Sequence, residues 1–429
     1  MQKFQPNSHT HGGGGGVTHM SSKKPLLSLV CILALTCASQ ANDKVTAKWE
    51  RNDAIKQQAQ FNPANGVLNL NQYPNNPYKT VEFIFGSSVT GPLGVNLYGG
   101  MNMGDMTITS QKTSGDATTN LSLDNASMKT LTVGEKNTIN ITIQNANDKI
   151  ETIDNKGTMT INNKGQTITT LTNTGGTIDN KSGSIATLTN NKGGSVTMGQ
   201  GTINTLTSNQ GGNITNAGTI TSLTYKAAPT TKAIQTKAST DSITNTGTIT
   251  TFTNDGGHIT NSGNGNITNL TNSNGNVNNQ SGTITTLNNT GGNVNNSANI
   301  QTLQSTNGNI NNMKGTISTL TNNNGGSLNN YQGTIENLKI TSGDFELNNM
   351  QQGRIANIEI GGNGNININD NMNIGYNNGI STFRIANGAT PTLNFGEVRT
   401  ATTAQETYAT VKLVDSTNNA NTTQARVAI

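Results

Sequence analysis

A short unit recurs along the chain from Ile150 to Ile358, at intervals of about 17 or 18 residues. Each of twelve units opens with an apolar residue, and a second apolar residue follows three positions later without exception. The opening residues are Ile150, Ile168, Ile185, Ile203, Ile220, Ile249, Ile267, Ile284, Ile300, Ile317, Ile335 and Ile355. The second residues are Ile153, Leu171, Leu188, Leu206, Leu223, Phe252, Leu270, Leu287, Leu303, Leu320, Leu338 and Ile358. Because one such unit cannot bury isolated apolar residues and stacked units can, the repeat predicts a solenoid.

A third apolar residue follows the second after seven or eight positions in most units. These third residues include Ile161, Ile178, Val196, Ile214, Ile259, Val277, Val294, Ile310 and Leu328. Thr, Asn and Ser fill the short segments between them, which suits exposed strand faces and turns. We therefore predict an all-β fold, a parallel β-helix solenoid of about twelve regular rungs with three short strands per rung. A left-handed hexapeptide helix is the alternative; it requires a spacing of six, so the observed gaps favour a right-handed coil.

Glycine and asparagine mark the corners between these segments. Gly-Gly pairs such as Gly175-Gly176 form one corner, and a glycine two residues before the opening Ile, such as Gly201, forms another. We expect these glycines to supply positive φ angles. Asparagines recur at equivalent corner positions: Asn173, Asn190, Asn254, Asn272, Asn289 and Asn322. Two interpretations stay open, a stacked amide ladder and simple tolerance of turns.

Residues 1–41 read as a leader and signal peptide. A five-glycine run and His9, His11 and His19 precede Met20, and we interpret them as an upstream extension rather than a metal-binding tract, which leaves Met1 and Met20 as alternative starts. Lys23 and Lys24, an apolar run over 26–37 and the sequence Ser39-Gln40-Ala41 then predict a cleaved secretory signal. We expect export through the inner membrane and a cell-surface or extracellular location.

Cleavage after residue 41 would remove every cysteine, because Cys31 and Cys37 are the only two. Disulfides then play no part in the mature chain. The leader also carries three of the 26 basic residues and none of the 22 acidic ones, so 26 − 3 = 23 basic residues face 22 acidic ones. This balance provides no basis for nucleic-acid binding, and we expect no nucleic-acid partner.

The remaining chain divides into three regions by composition. Residues 42–127 hold Trp49 and six other aromatic residues, and we expect an N-terminal cap with a short helix over Lys48–Gln60 and a strand over Val81–Phe85. Its aromatics are expected to pack in a core, with carbohydrate binding as the alternative. Residues 128–375 hold the β-helix repeats, with a loop insertion at 225–241 that contains Lys226, Lys232 and Lys237. Residues 376–429 form a C-terminal extension or a truncated continuation.

Few residues are suited to chemistry. His258 is the only histidine after residue 41, and we expect it in a solvated turn. Asp154, Asp179 and Asp255 are isolated acids, whereas a β-helix enzyme that acts on polysaccharides needs grouped carboxylates. The segment 361–370 resembles one defective copy of a calcium-binding nonapeptide, because Ile366 stands where the motif requires Asp. We predict no catalytic, cofactor-binding or metal-binding residues, no cofactor and no enzymatic activity.

The leader and the rungs together resemble the passengers of vacuolating-cytotoxin-like autotransporters of Gram-negative bacteria. The resemblance rests on Gly-Thr-Ile-Ser-Thr-Leu-Thr-Asn at 315–322 and a similar run at 165–173, and it covers about residues 20–375. It implies an exported β-helix that acts in adhesion, colonisation or host interaction. Its implied partners are a host cell surface or extracellular matrix component and an outer-membrane barrel for export. No barrel segment is found in this chain, which leaves a fragment, a truncated product or another release route as interpretations; toxin activity is not carried over, because the cytotoxin's apolar Gly-x-x-x-Gly segment is absent.

A second function class follows from the strands that read Thr-Leu-Thr. If each Leu points inward, pairs such as Thr170 and Thr172 or Thr205 and Thr207 point outward in a regular grid. Such a grid resembles the flat face of ice-binding β-helices, although Asn269, Asn288 and Gln304 interrupt it. Ice binding and a polysaccharide-active enzyme are therefore the alternatives to an adhesion protein.

Overall fold

The apolar columns expected from the repeat form the interior of a parallel β-solenoid. The computed structural model describes residues 45–51, 56–61, 67–71, 78–145, 147–227, 242–349, 353–369, 382–386, 388–395 and 426–428, all of which belong to one compact unit, Ser39–Ile429. These ranges contain strands and turns, and no helix capable of crossing a membrane lies among them.

The described residues form thirty-two strands, of which all but the first two belong to the parallel coil. In chain order they are β1 (Val45–Arg51), β2 (Lys56–Phe61), β3 (Val67–Asn71), β4 (Tyr78–Phe85), β5 (Leu93–Ser110), β6 (Ala117–Val133), β7 (Asn137–Ile143), β8 (Lys149–Asn155), β9 (Thr158–Thr174), β10 (Thr177–Asn191), β11 (Ser195–Met198), β12 (Thr202–Ser208), β13 (Ile214–Asn216), β14 (Thr219–Lys226), β15 (Ser242–Asn245), β16 (Thr248–Asp255), β17 (His258–Asn261), β18 (Asn266–Asn272), β19 (Asn276–Asn279), β20 (Thr283–Asn289), β21 (Asn293–Asn296), β22 (Asn299–Thr306), β23 (Asn309–Asn312), β24 (Thr316–Asn324), β25 (Ser327–Asn330), β26 (Thr334–Ile340), β27 (Phe345–Asn349), β28 (Arg354–Ile360), β29 (Asn365–Asn369), β30 (Thr382–Ile385), β31 (Thr392–Phe395) and β32 (Arg426–Ala428).

The strands stack in two parallel ladders. Ladder 1 contains β4, β8, the even-numbered strands from β12 to β30 and the C-terminal halves of β5, β6, β9 and β10. Ladder 2 contains β3, β7, the odd-numbered strands from β11 to β31, then β32, and the N-terminal halves of the same four long strands. Each turn of the coil therefore adds one strand to each ladder.

The register confirms the aliphatic columns. Ile185 pairs with Ile203, which pairs with Ile220. In the adjacent inward column, Leu188 pairs with Leu206. In ladder 2 the third apolar residues form a column of their own, in which Val277 pairs with Val294. All of these side chains are buried. Burial on this scale, at roughly 25 cal/mol per Å² of apolar surface, is the main stabilising term for the described residues, which contain no cysteine.

The constant spacing of three reflects a bend within each ladder 1 strand. Strict alternation would place Ile203 and Leu206 on opposite faces, yet both are buried and the two residues between them, Asn204 and Thr205, are both exposed. The pairing also skips one residue at this point, passing from Ile203 to Thr205. The expectation of three separate strands per rung is therefore wrong, because the first two are continuous through the bend. The right-handed sense of the coil stays a prediction.

The N-terminal region differs from the expected helical cap. The helix predicted over Lys48–Gln60 is wrong, because β1 and β2 form an antiparallel hairpin and β1 also pairs antiparallel with β4. The strand predicted at Val81–Phe85 is confirmed within β4. Parallel pairing already joins β3 and β4 to β5, so the coil extends well into the region 42–127 that was assigned to a cap. The cap that the described residues show is the hairpin alone.

Parallel pairing also extends past the predicted C-terminal limit of the repeats. Strands β30 and β31 pair in parallel with β28 and β29, although they lie within the region 376–429 that was assigned to an extension. Ladder 2 continues to β32, which pairs with β31. Strand pairing therefore persists past residue 375, where the periodicity of the sequence weakens, and the choice between an extension and a truncated continuation for 376–429 stays a prediction.

Glycines at the two corners have different physical roles. In the Gly-Gly corner the expected positive φ is present, for example 78° at Gly175 and 72° at Gly193. The corner before the opening Ile mostly lacks it, and there glycine is required by close packing. A Cβ on Gly282 would lie 2.3 Å from Nδ2 of Asn261, and one on Gly333 would lie 2.0 Å from Nδ2 of Asn312. These glycines make room for buried asparagines of the neighbouring turn.

Candidate binding surface

The residues singled out for chemistry are dispersed over the solenoid. His258 begins β17 and is half-buried, with Nδ1 3.1 Å from Nδ2 of Asn276, so the solvated turn expected for it is wrong. Asp154 lies on ladder 1, Asp179 lies on ladder 2, and Asp255 ends β16. In the part of the chain that the structure describes, no group of three or more His, Cys, Asp or Glu residues is placed to hold a metal ion.

A buried column of asparagine side chains lines the corner at the end of ladder 1. Nδ2 of Asn155 donates to Oδ1 of Asn173 at 2.8 Å, and Asn173 donates to Asn190 at the same distance. Beyond an interruption at Ser208 and Tyr225, Asn254 donates to Asn272, and Asn272 donates to Asn289, each at 2.7 Å. The second proton on each of these donating Nδ2 atoms goes to a corner carbonyl, for example that of Gly275 at 2.9 Å from Asn272. The stacked amide ladder is therefore confirmed for Asn173, Asn190, Asn254, Asn272 and Asn289 and is wrong for Asn322, whose buried amide has no hydrogen-bond partner among the described residues.

A second buried amide ladder was not anticipated and is longer. It runs through the last inward position of the ladder 2 strands, and each Nδ2 donates to Oδ1 of the next turn over 2.7–3.0 Å. Its members are Asn216, Asn245, Asn261, Asn279, Asn296, Asn312, Asn330 and Asn349. Since a buried amide without partners costs about 1–3 kcal/mol, this continuous pairing fixes the vertical register of the turns. It therefore holds the outer faces in regular order.

The outer side of ladder 1 presents a regular array of hydroxyl groups, which we call the Thr face. It consists of the outward side chains on five successive turns, Thr170, Thr172, Thr187, Thr189, Thr205, Thr207, Ser222, Thr224, Thr251 and Thr253. Each of these residues lies in register with one on the adjacent turn, at a strand separation of about 4.8 Å, and two positions from the next along the strand, a backbone distance of about 6.7 Å. The outward placement expected for the Thr-Leu-Thr segments is confirmed.

The outer side of ladder 2 presents a corresponding array of amides, which we call the Asn face. It consists of Asn276, Asn278, Asn293, Asn295, Asn309, Asn311, Ser327 and Asn329 on β19 to β25. Inter-turn hydrogen bonds order these side chains: Asn311 donates to Asn295 and Asn329 donates to Asn311, each at 2.8 Å. In the adjacent column, Asn309 donates to Asn293 at 3.3 Å.

Both faces lack acidic and basic side chains over a long distance. On ladder 1 the two outward columns that contain Thr170 and Thr172 carry no charge between Asp154 and Lys339, whereas Lys226, Asp255 and Glu336 are exposed at other positions of its strands. On ladder 2 the outward strand positions of β11 to β25 are likewise free of Asp, Glu, Lys and Arg. Charged pairs are found towards the ends, where Nζ of Lys339 lies 3.2 Å from Glu359. Near the other end, the hydrogen bond and the positive charge of Lys149 lower the pKa of Glu151.

The insertion begins later than its composition indicated. Tyr225 and Lys226 belong to β14, in register with Asn254 and Asp255, so the predicted start at 225 is wrong. Tyr225 is buried in the column of the first amide ladder, and its hydroxyl donates to the carbonyl of Gly212 at 2.8 Å. Lys226 is exposed. Lys232 and Lys237 lie outside the described residues.

Of the four aromatic residues in the N-terminal region whose side chains are described, three belong to the core. Tyr78, Phe83 and Phe85 are buried, as expected for packing, while Tyr98 is 38% exposed. In the segment that resembles a calcium-binding nonapeptide, Ile366 is buried and faces the core. The leader 1–41 and the predicted signal sequence lie outside the described residues. Neither the described aromatic residues nor the segment 361–370 provides a binding site comparable in extent to the Thr face and the Asn face.

Comparisons with known proteins give no match: no protein family, no curated protein and no solved structure is similar enough to this chain to be reported.

Proposed function

We propose that this chain is an exported, cell-surface or extracellular β-solenoid that acts as a binding protein in adhesion, colonisation or host interaction. The observation that carries the proposal is the Thr face, a flat, uncharged and regularly spaced surface that the stacked turns hold in place. Exposed, ordered polar surface of this extent is suited to binding rather than to catalysis, which requires convergent side chains in a cleft. The resemblance to autotransporter passengers supports the same assignment.

The partner is a component of the host cell surface or the extracellular matrix. Because the face has hydroxyl groups and no charges, it is suited to a neutral, hydrogen-bonding partner, and binding is expected to depend little on salt concentration. An outer-membrane barrel encoded outside this chain would deliver the solenoid. Delivery agrees with the architecture, because each turn folds on the previous one without disulfides.

The test is binding of the labelled full chain to host cells and to matrix-coated surfaces, with an unrelated β-helix as the reference. The variant Thr170→Lys/Thr205→Lys places two charges on the Thr face, two turns apart, and we expect it to lose at least ten-fold in affinity. The matched control is Asn295→Lys/Asn329→Lys, which adds the same charges to the Asn face. Binding no stronger than that of the reference would refute the adhesion proposal.

Ice binding is the second candidate, and the same surface favours it. In-register hydroxyl columns present donors and acceptors at fixed intervals in two directions, which is the requirement for contact with an ordered lattice of water. Thermal hysteresis of the full chain, with the Thr170→Lys/Thr205→Lys variant as the negative control, tests this function. A solution without hysteresis excludes ice binding and leaves the adhesion proposal unaffected.

A further inference from the structure

We propose that the Asn face is a self-association surface that binds the Asn face of a second copy of this chain. This inference does not depend on the proposed function, because it concerns the opposite ladder and a different partner. It starts from the hydrogen-bonding state of the amides in the column Asn295, Asn311 and Asn329.

These amides are self-complementary. The middle member, Asn311, donates one Nδ2 proton to Asn295 and accepts one bond at Oδ1 from Asn329, both at 2.8 Å. A primary amide has two protons on nitrogen and two lone pairs on oxygen, so Asn311 and Asn329 each keep one donor and one acceptor that the column does not use. A donor and an acceptor on the same group pair reciprocally with the same group on another copy, which is the condition for a two-fold symmetric interface.

The ordering of the side chains favours association. A free asparagine side chain loses rotamer entropy when an interface immobilises it, at a cost of about 0.5–1.5 kcal/mol for a flexible residue. The inter-turn hydrogen bonds already hold Asn295, Asn311 and Asn329 in one row, so most of this loss has occurred on folding. Asn348 extends the row by donating to Asn329 at 2.7 Å.

The spacing of the array selects a second copy over an unrelated protein. The amides repeat with the strand separation of about 4.8 Å, and only a surface with the same repeat stays in register over several turns. The absence of charge on the outward positions of β11 to β25 also removes the repulsion that two identical faces would otherwise experience. A two-fold axis parallel to the solenoid axis would bring each amide of one copy opposite the same amide of the other.

The expected association is weak. The Asn face and the uncharged outward positions of β11 to β17 that continue it span about 34 Å over eight strands, and with a width of roughly 10 Å this surface has about 340 Å² per copy, below the roughly 800 Å² per partner of a stable complex. We therefore expect a dimer that forms at about 100 μM rather than in the nanomolar range. Such an interface becomes effective when many copies are displayed at high local concentration.

Sedimentation of the full chain over a concentration series tests the proposal with paired charge variants. Asn295→Lys/Asn329→Lys and Asn295→Asp/Asn329→Asp each place like charges across the two-fold axis, so each alone should be monomeric at concentrations where the wild type is dimeric. A one-to-one mixture of the two variants should associate again, because lysine then faces aspartate. Thr170→Lys/Thr205→Lys on the other ladder is the matched control and should dimerise like the wild type.

Two turns separate residues 295 and 329, about 9.6 Å, which limits repulsion within one chain at physiological ionic strength. Circular dichroism and the melting temperature establish that each variant is folded, and the aspartate pair, which preserves side-chain shape, serves if the lysine pair fails to fold. A wild type that stays monomeric to about 500 μM would overturn the proposal. Undiminished dimerisation of both charge variants, or its loss in the Thr-face control, would also overturn it.

Discussion

Single residues decide whether the buried amide column of ladder 1 is continuous. Where Ser208 interrupts it, the shorter side chain still fits, since its Oγ accepts from Asn190 at 3.1 Å and donates to Gly211 at 2.9 Å. Where Ser305 interrupts it, the side chains do not connect. Nδ2 of Asn289, Oγ of Ser305 and both polar atoms of Asn322 are buried without a hydrogen-bond partner among the described residues. The two serines are chemically identical, and only their surroundings differ.

Replacing Ser305 by asparagine should therefore join Asn289 to Asn322 and stabilise the solenoid. Two restored hydrogen bonds at about 0.5–1.5 kcal/mol each predict a gain of about 1–3 kcal/mol. The urea midpoint, followed by circular dichroism, measures it. Ser208→Asn is the control, and it should give no gain because Ser208 already has both partners. Equal stabilisation by the two substitutions, or a loss at position 305, would contradict the argument.

At the scale of the strand, burial of the aliphatic columns contributes more to stability than the polar residues do. Leu206 on β12 is fully buried between Leu188 and Leu223, whereas its neighbour Thr205 is exposed. Leu206→Ala should cost about 2–5 kcal/mol through lost burial and a residual cavity. Leu206→Asp should open the adjoining turns, because it places an unpaired charge in the column.

Limited proteolysis of the two variants measures this difference. Thr205→Ala is the matched control one position away, and it should change the free energy of unfolding by no more than about 0.5 kcal/mol. Proteolytic resistance of Leu206→Asp equal to that of the wild type would show that the column does not carry the stability of these turns.

The strands also show which parts of the fold could be predicted from the sequence. The columns were predictable because the repeat records burial directly, with Ile and Leu at fixed positions in every unit. The hairpin of β1 and β2 was not, because Lys48–Gln60 has no strict alternation and its conformation is set by long-range pairing, such as Ala47 with Phe83. The second amide ladder could not be predicted, because Asn occupies both inward and outward positions in segments such as 293–296. Register alone separates Asn296, which is buried, from Asn295, which lies on the Asn face.

At the scale of the whole molecule, each turn contacts only the turns above and below it. Stability is then a sum of local terms, and unfolding need not involve all turns together. The hairpin of β1 and β2 joins the solenoid through β4, at its N-terminal end. Trp49, the only tryptophan, lies on β1. Its fluorescence therefore reports on that end, while circular dichroism reports on all turns.

We expect the two signals to give different urea transitions, with Trp49 fluorescence changing at the lower concentration, because the hairpin is in contact with ladder 1 on one side only. Leu206→Ala should lower the transition seen by circular dichroism and leave that of Trp49 unchanged, since six strands of ladder 1, from β4 to β10, lie between β1 and β12. Coincident transitions that shift together in the variant would instead mean that the buried amide ladders couple all turns into one cooperative unit. The stiffness of the Thr face and the Asn face would then be a property of the entire solenoid rather than of individual turns.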